Sequence, residues 1–160
     1  MINVTVICLG KLKESYLREA SAEYIKRLKP LCSLDLIELA PERLPENPSD
    51  GAVKAALKSE GEAIMKKLPK NSRVYALCIE GTEMSSRRLS DDMMKAAVGG
   101  SGSMTFIIGS SFGLSDEVKN IADVRLSMSP MTFPHQLARI MLLEQLYRSF
   151  EIALGTKYHK

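Results

Sequence analysis

No stretch of this 160-residue chain approaches the ~18 consecutive apolar residues of a membrane span. Residues 1–9 lack both a basic segment ahead of their apolar run and a small-residue cleavage site, so no secretory leader is expected and the cytoplasm is the expected compartment. Cysteine is scarce and odd in number. Cys8, Cys32 and Cys78 lie in or beside apolar runs without metal-ligand spacing, which argues against a disulfide framework and gives no metal site. An excess of one charge is lacking too: 22 Lys and Arg oppose 19 Asp and Glu for a net +3, too little to demonstrate nucleic-acid binding. Internal repeats and low-complexity tracts are absent. With 45% hydrophobic and 26% charged residues, the disordered and collagen-like classes are excluded, and the length suits one domain over residues 1–160.

What charge there is lies unevenly. Residues 31–50 carry five acids against the single base Arg43, whereas residues 131–160 carry Arg139, Arg148, Lys157 and Lys160 against Glu144 and Glu151, with His135 and His159 added. The basic character sits at the C-terminal end.

Residues 2–9 (INVTVICL) read as a β-branched strand ended by Gly10, and 14–29 as a helix with Tyr16, Leu17, Ala20, Tyr24, Ile25 and Leu28 at helical spacing before Pro30. Residues 33–39 alternate like a half-buried strand, and Pro41, Pro45 and Pro48 mark a linker too short to separate domains. Ser49 or Asp50 can cap a helix reaching Leu68, weakened in its middle by Gly61. A strand over 74–79 meets a turn at Gly81, and Ser85 or Ser86 can cap a helix to about Val98. A strand over 104–108 enters Gly109-Ser110-Ser111-Phe112-Gly113-Leu114, Ser115 opens a short helix, 124–127 is a fifth strand, and a final helix covers 135–154. Strands alternating with helices at this spacing predict an α/β fold, a mainly parallel sheet sandwiched by helices.

The last helix is apolar all round, from Leu137 to Leu154, and a single sheet face covers only one side of it. A second copy of the chain would cover another, so a homodimer is expected; a central helix shielded by its own chain is the alternative.

Ligands of parallel sheets bind beyond the carboxyl ends of the strands. The loops after Ile79, Ile108 and Ser127 belong to that edge, and the last two are rich in Gly, Ser, Met and Pro and poor in charge. They suit a neutral or cationic small molecule with an adenine-like ring, held by backbone groups and packed by Leu77, Met128 and Met131, unless those methionines are core filler. Gly109-Ser110-Ser111-Phe112-Gly113 also fits the G-x-S-x-G elbow of α/β-hydrolases, with Ser111 as nucleophile and Asp123 and His135 following in order, which makes a serine esterase a second hypothesis. A Walker-type phosphate site is not indicated, because the P-loop lysine and the G-x-G-x-x-G spacing are missing. A non-catalytic nucleotide-binding dimer is the third hypothesis. His135 starts the last helix after Pro134, with Arg139 one turn on; the pair is either structural or faces a ligand. Glu144 and Arg148 read as a helix salt bridge. The tail through Lys157, Tyr158, His159 and Lys160 carries the groups that stack on bases and neutralise phosphates, or it is a frayed end.

Together, VYALCIEG, FIIGSSFGL, LSMSPMTFPHQLARIMLLEQLYRSFEI and the closing YHK resemble the ribosomal large-subunit pseudouridine N3-methyltransferases of the SPOUT superfamily, over essentially the whole chain from ICLGKLKE onward. The resemblance implies a C-terminal trefoil knot, a homodimer with its active site between protomers, and S-adenosylmethionine as cofactor. By motif, the cofactor contacts fall on Leu77, Gly109, Leu126, Ser127, Met128, Ser129, Pro130 and Met131. The implied reaction is methyl transfer to N3 of a pseudouridine in 23S rRNA, with the assembled ribosome as substrate. His135 or His159 would then assist removal of the N3 proton or orient the base, Arg139 and Lys160 would engage uracil carbonyls or phosphates, and Tyr158 would stack. Two positions depart from the family pattern: Ser110 stands where a second glycine is usual, and Lys157 where proline commonly precedes Tyr-His.

Overall fold

In the computed structural model, which describes residues 1–100 and 102–160, strands and helices alternate along the chain. They are β1 (Asn3–Leu9), α1 (Ser15–Leu28), β2 (Ser33–Leu39), α2 (Asp50–Lys67), β3 (Arg73–Glu83), α3 (Ser86–Gly99), β4 (Ser103–Ile108), α4 (Asp116–Ile121), β5 (Val124–Ser127) and α5 (His135–Ala153). The strands form one sheet in the order β2-β1-β4-β3-β5, and every pairing is parallel.

Each strand sends alternate side chains to opposite faces, and both faces are covered. Val4, Val6 and Cys8 of β1 join Met104, Phe106 and Ile108 of β4 beneath α1, α3 and α5, where Leu28, Leu89, Met93, Leu142, Leu143, Leu146 and Phe150 close the larger core. Ile7, Leu9 and Ile107 face the other way, onto Ile64 of α2 and Val118 of α4. Tyr75 stacks on Phe106 with ring centroids 4.4 Å apart, and its hydroxyl donates to Asp92, which Arg73 grips with two nitrogens at 3.1 Å.

Serines start three of the helices. Ser49, Ser85 and Ser115 accept the N–H of Ala52, Arg88 and Val118, so the caps of α2 and α3 are Ser49 and Ser85 rather than their neighbours. Asp123 accepts the Val74 N–H at 2.7 Å, fastening the start of β5 to the start of β3.

Two glycines differ from their sequence reading. Gly81 is no simple turn: β3 continues to Glu83, and its register with β5 breaks between Leu77 and Thr82, both of which oppose Leu126. The chain bows out over residues 78–81 and returns, and a Cβ at Gly81 would lie 2.6 Å from the Arg125 carbonyl oxygen. Gly61 is a contact point: a Cβ there would meet Ser115 Oγ at 2.5 Å, so its bareness lets α4 seat on α2. The stripe of α1 is also rotated from expectation, leaving Tyr16 66% exposed while Leu17, Ser21 and Leu28 face the core. Cys8 and Cys32 are buried and Cys78 half-buried, and all three thiols are free. Among the described residues no helix is long and apolar enough to cross a membrane, and no cluster of metal-ligating side chains occurs.

Candidate active site

The carboxyl edge of β3, β4 and β5 opens into a cavity of about 310 Å³, walled by the loops that follow these three strands. The bowed segment of β3 supplies Leu77, Cys78, Ile79 and Glu80; the glycine-rich loop supplies residues 109–114; Leu126, Met128, Ser129 and Met131 come from β5 and the loop after it. Such a volume lies at the low end of the roughly 300–1,000 Å³ typical of small-molecule sites.

Local chemistry explains the shape of each wall. The glycine-rich loop doubles back on itself, with the Gly113 N–H donating to the Ser110 carbonyl oxygen at 2.9 Å. Gly113 has φ +89°, and a Cβ at Gly109 would stand 2.2 Å from the Gly113 oxygen, so both positions require glycine. On the opposite wall, Ser129 Oγ accepts the Met131 N–H while its own carbonyl accepts the Ser127 hydroxyl, a local turn that holds the loop away from the sheet. At the mouth, Lys119 of α4 donates to Glu80 and holds its carboxyl below the usual carboxylate range. The lining is mostly apolar with backbone polar groups and one thiol, Cys78, which donates to the Ala76 carbonyl and whose pKa burial raises.

His135 opens α5 at the rim of this cavity and of a second one, about 750 Å³, between the Pro41–Pro45 segment and the glycine-rich loop. Burial pushes its pKa below the usual imidazole value, and the positive Arg139 adds to that, so His135 is neutral at pH 7 and can accept a proton.

The sequence-derived site residues separate into three groups. Leu77, Gly109, Leu126, Met128, Ser129 and Met131 line the cavity together with His135. Ser127 is buried behind it, lining instead a cavity of about 520 Å³ on the α3 and α5 side, and Pro130 shapes the loop between lining neighbours. Arg139 does not face the cavity. It is 2% exposed, donates to Glu38 Oε2 at 2.6 Å and to the Gly10 carbonyl at 2.8 Å, and its buried Nε has no hydrogen-bond partner among the described residues. The tail lies further along α5. Arg148 stands over the Tyr158 ring at 4.7 Å and reaches His159 Nδ1 at 3.3 Å, and Tyr158 meets Tyr147 edge-on at 4.8 Å. Ten residues of helix separate Arg148 from Ala138, the last α5 residue on the cavity, which is about 15 Å of rise. Within one chain, none of Tyr158, His159 and Lys160 lines the cavity.

The hydrolase arrangement is not formed. Ser111 and His135 share the carboxyl edge, but Asp123 is at the opposite end of β3 and committed to the Val74 N–H. Sequence reading also missed Glu80 and Lys119, whose pairing across two elements has no local signature, and Glu60, which lies 50 positions from the loop it touches.

Residues 2–159 match the family model described as predicted SPOUT methyltransferase. The chain is 48% identical over 159 residues to the putative ribosomal RNA large subunit methyltransferase H of Methanococcus maripaludis, covering 99% of this chain and 100% of that one. It is 46% identical over the same length to the ribosomal RNA large subunit methyltransferase H of Bacillus pumilus, with the same coverage. Among solved structures, a probable methylase family protein from Haemophilus influenzae Rd KW20 shares the fold with a TM-score of 0.53 at 16% identity, over 99% of this chain and 70% of that chain. With a parallel sheet whose carboxyl edge carries an apolar, glycine-walled cavity, and a family match spanning nearly its whole length, the chain belongs to the SPOUT methyltransferase family.

Proposed function

We propose that this protein is an S-adenosylmethionine-dependent methyltransferase that modifies N3 of a pseudouridine in the 23S rRNA of the large subunit, acting on the assembled ribosome in the cytoplasm as a homodimer. The observation that carries the reading is the cavity between the glycine-rich loop and the 128–131 loop. Its residues fit the cofactor: Leu77, Leu126 and Met128 offer apolar surface to an adenine ring, and backbone groups of 109–113 and 126–131 offer partners to polar atoms. When bound, S-adenosylmethionine supplies a sulfonium methyl group already activated for transfer.

The remaining work falls to side chains of the protein. N3 of a uracil ring carries a proton that must leave before the nitrogen is a nucleophile, and neutral His135 at the cavity rim is placed to accept it. Arg139, enclosed with Glu38 and Gly10, acts in this reading on His135 by keeping it unprotonated rather than on the uracil itself. Tyr158, His159 and Lys160 bind the RNA, with the phenol stacking and the cations meeting phosphate or carbonyl oxygens.

Exposed apolar surface on α5 supports the homodimer. Leu137 on α5 and Leu154 at its C-cap are 39% and 64% exposed, and much of the rest of the helix is only half-buried. In a two-fold dimer, a tail that does not line its own cavity can serve the partner's. The C-terminal trefoil knot and the single-domain organisation belong to the same reading. Calorimetric titration with S-adenosylhomocysteine, combined with sedimentation, tests it. One site per chain in a particle of twice the chain mass is expected; a monomer that binds nothing would overturn it.

A further inference from the structure

Glu60 is an acidic residue in the wrong place for a surface helix. It is 6% exposed on α2, and among the described residues it has no ion-pair partner. A buried carboxylate needs compensation, and here hydrogen bonds supply it. Oε1 accepts the Ser110 hydroxyl at 2.7 Å, and Oε2 accepts the Glu42 N–H at 2.9 Å. Ser59, its neighbour, donates to the carboxylate of Glu42 at 2.6 Å, so Glu42 is held at both its backbone and its side chain.

The two segments tied together are the walls of different cavities. Ser110 is the second residue of the glycine-rich loop and lines both the proposed cofactor cavity and the second cavity beside it. Glu42 belongs to the proline-marked segment after β2 that forms the far wall of the second cavity. The glycine-rich loop ends on Leu114, buried in the core, but its tip over residues 110–113 has little else to hold it. Phe112 is 52% exposed, Gly113 has φ +89°, and the loop's own backbone bond runs from the Gly113 N–H to the Ser110 oxygen. Glycine leaves such a loop many alternative conformations, and the Ser110 hydroxyl is its tether to a regular element.

We propose that Glu60 is a positioning residue of the methyltransferase site, clamping Ser110 and Glu42 so that the glycine-rich loop is held in its binding conformation and moves as one unit with the 42–46 segment. The inference rests on the reading of the first cavity as the cofactor site. Apparent affinity scales with the fraction of molecules whose loop keeps that conformation, so loss of the tether reads out as affinity. α2 is anchored independently through Ile64 and Gly61, so the sheet is expected to survive removal of the clamp.

The test compares Ser110→Ala, Ser110→Thr, Glu60→Ala and the double variant with the wild-type chain, using S-adenosylhomocysteine titration and residue-resolved amide exchange. Ser110→Ala is expected to weaken binding about five- to tenfold, the size of one ordinary intramolecular hydrogen bond. Ser110→Thr restores most of it, and the double variant is no weaker than Glu60→Ala alone, because both substitutions remove one interaction. Exchange at the Gly113 amide accelerates in Ser110→Ala and Glu60→Ala, whereas exchange at the Glu42 amide accelerates in Glu60→Ala only. Affinity in Ser110→Ala within twofold of wild type, or a threonine variant as weak as the alanine one, overturns the proposal. A wild-type chain that fails to bind S-adenosylhomocysteine refutes the cofactor reading instead. In that case the exchange pattern alone decides the clamp: unchanged Gly113 and Glu42 exchange refutes it.

Discussion

The Tyr158 hydroxyl donates to Glu144 Oε1 at 3.1 Å, fastening the C-terminal tail to the middle of α5. Glu144 also takes the guanidinium of Arg148, which lies over the Tyr158 ring, so the terminal residues form a small ordered assembly rather than a frayed end. Glu144 lines the cavity of about 520 Å³ on the α3 and α5 side, which shares Leu126 and Met128 with the proposed cofactor cavity.

If the tail serves RNA binding, removing residues 158–160 abolishes methylation while S-adenosylhomocysteine affinity stays within about twofold. Tyr158→Phe keeps the ring and loses the bond to Glu144. On a partly exposed contact, a loss of about 1 kcal/mol, roughly fivefold in kcat/KM, is expected. Burial and Glu144 push the Tyr158 pKa up to about 12, so the hydroxyl remains a donor and the attachment survives to at least pH 10. Single-turnover assays on both variants check this; full activity in the truncated chain contradicts the role of the tail.

If His135 is the proton acceptor, the activity is sensitive to acid. Its folded pKa lies below the ordinary value of 6.5, so it is neutral and able to take a proton above that value and loses the capacity as pH falls through its depressed pKa. The same shift affects stability. Between the folded pKa and 6.5 the unfolded chain binds more protons, so stability rises with pH across that window and is level above it. The expected profile of kcat/KM has an acid limb below pH 6.5, and His135→Gln lowers activity about 100-fold and removes the limb. An unchanged limb in that variant assigns it to another group.

Gly109→Ala tests how the glycine-rich loop is built. The added Cβ would lie 2.2 Å from the Gly113 oxygen, a backbone atom that can retreat only if the loop opens. Because the loop is at the edge of the sheet, opening costs about 1–2 kcal/mol, a Tm decrease of roughly 3–8 °C, while cofactor affinity falls more than tenfold. Gly51→Ala, where a Cβ meets nothing within 4 Å, leaves both unchanged or raises Tm slightly. Equal affinity in Gly109→Ala and wild type would show that the loop does not bind the cofactor.

Periodicity placed every strand and helix because each element carries its own local signal: β-branched runs, serine caps, and glycine or proline stops. The three carboxyl-edge loops followed from the rule for parallel sheets, and their glycine and methionine content was visible directly. What was not legible depended on pairs distant in sequence. Arg139 beside His135 read as either structural or ligand-facing, and Glu38, 101 positions away, with the Gly10 carbonyl, holds it in the interior. Gly81 read as a turn because its reason, the approach of the Arg125 backbone, belongs to another strand. The Ser111, Asp123 and His135 order satisfied a linear pattern, and only the register of β3 with β5 shows Asp123 at the wrong end of the sheet. Residue order fixes neither edge nor depth for a side chain whose partner is remote.

The most direct test is transfer of tritium from labelled S-adenosylmethionine to purified ribosomes that lack the modification, followed by mapping of the labelled nucleotide. The account predicts label on N3 of a single pseudouridine in 23S rRNA, dependent on residues 158–160. Label on another nucleotide, or none from a chain shown to bind the cofactor, would contradict it.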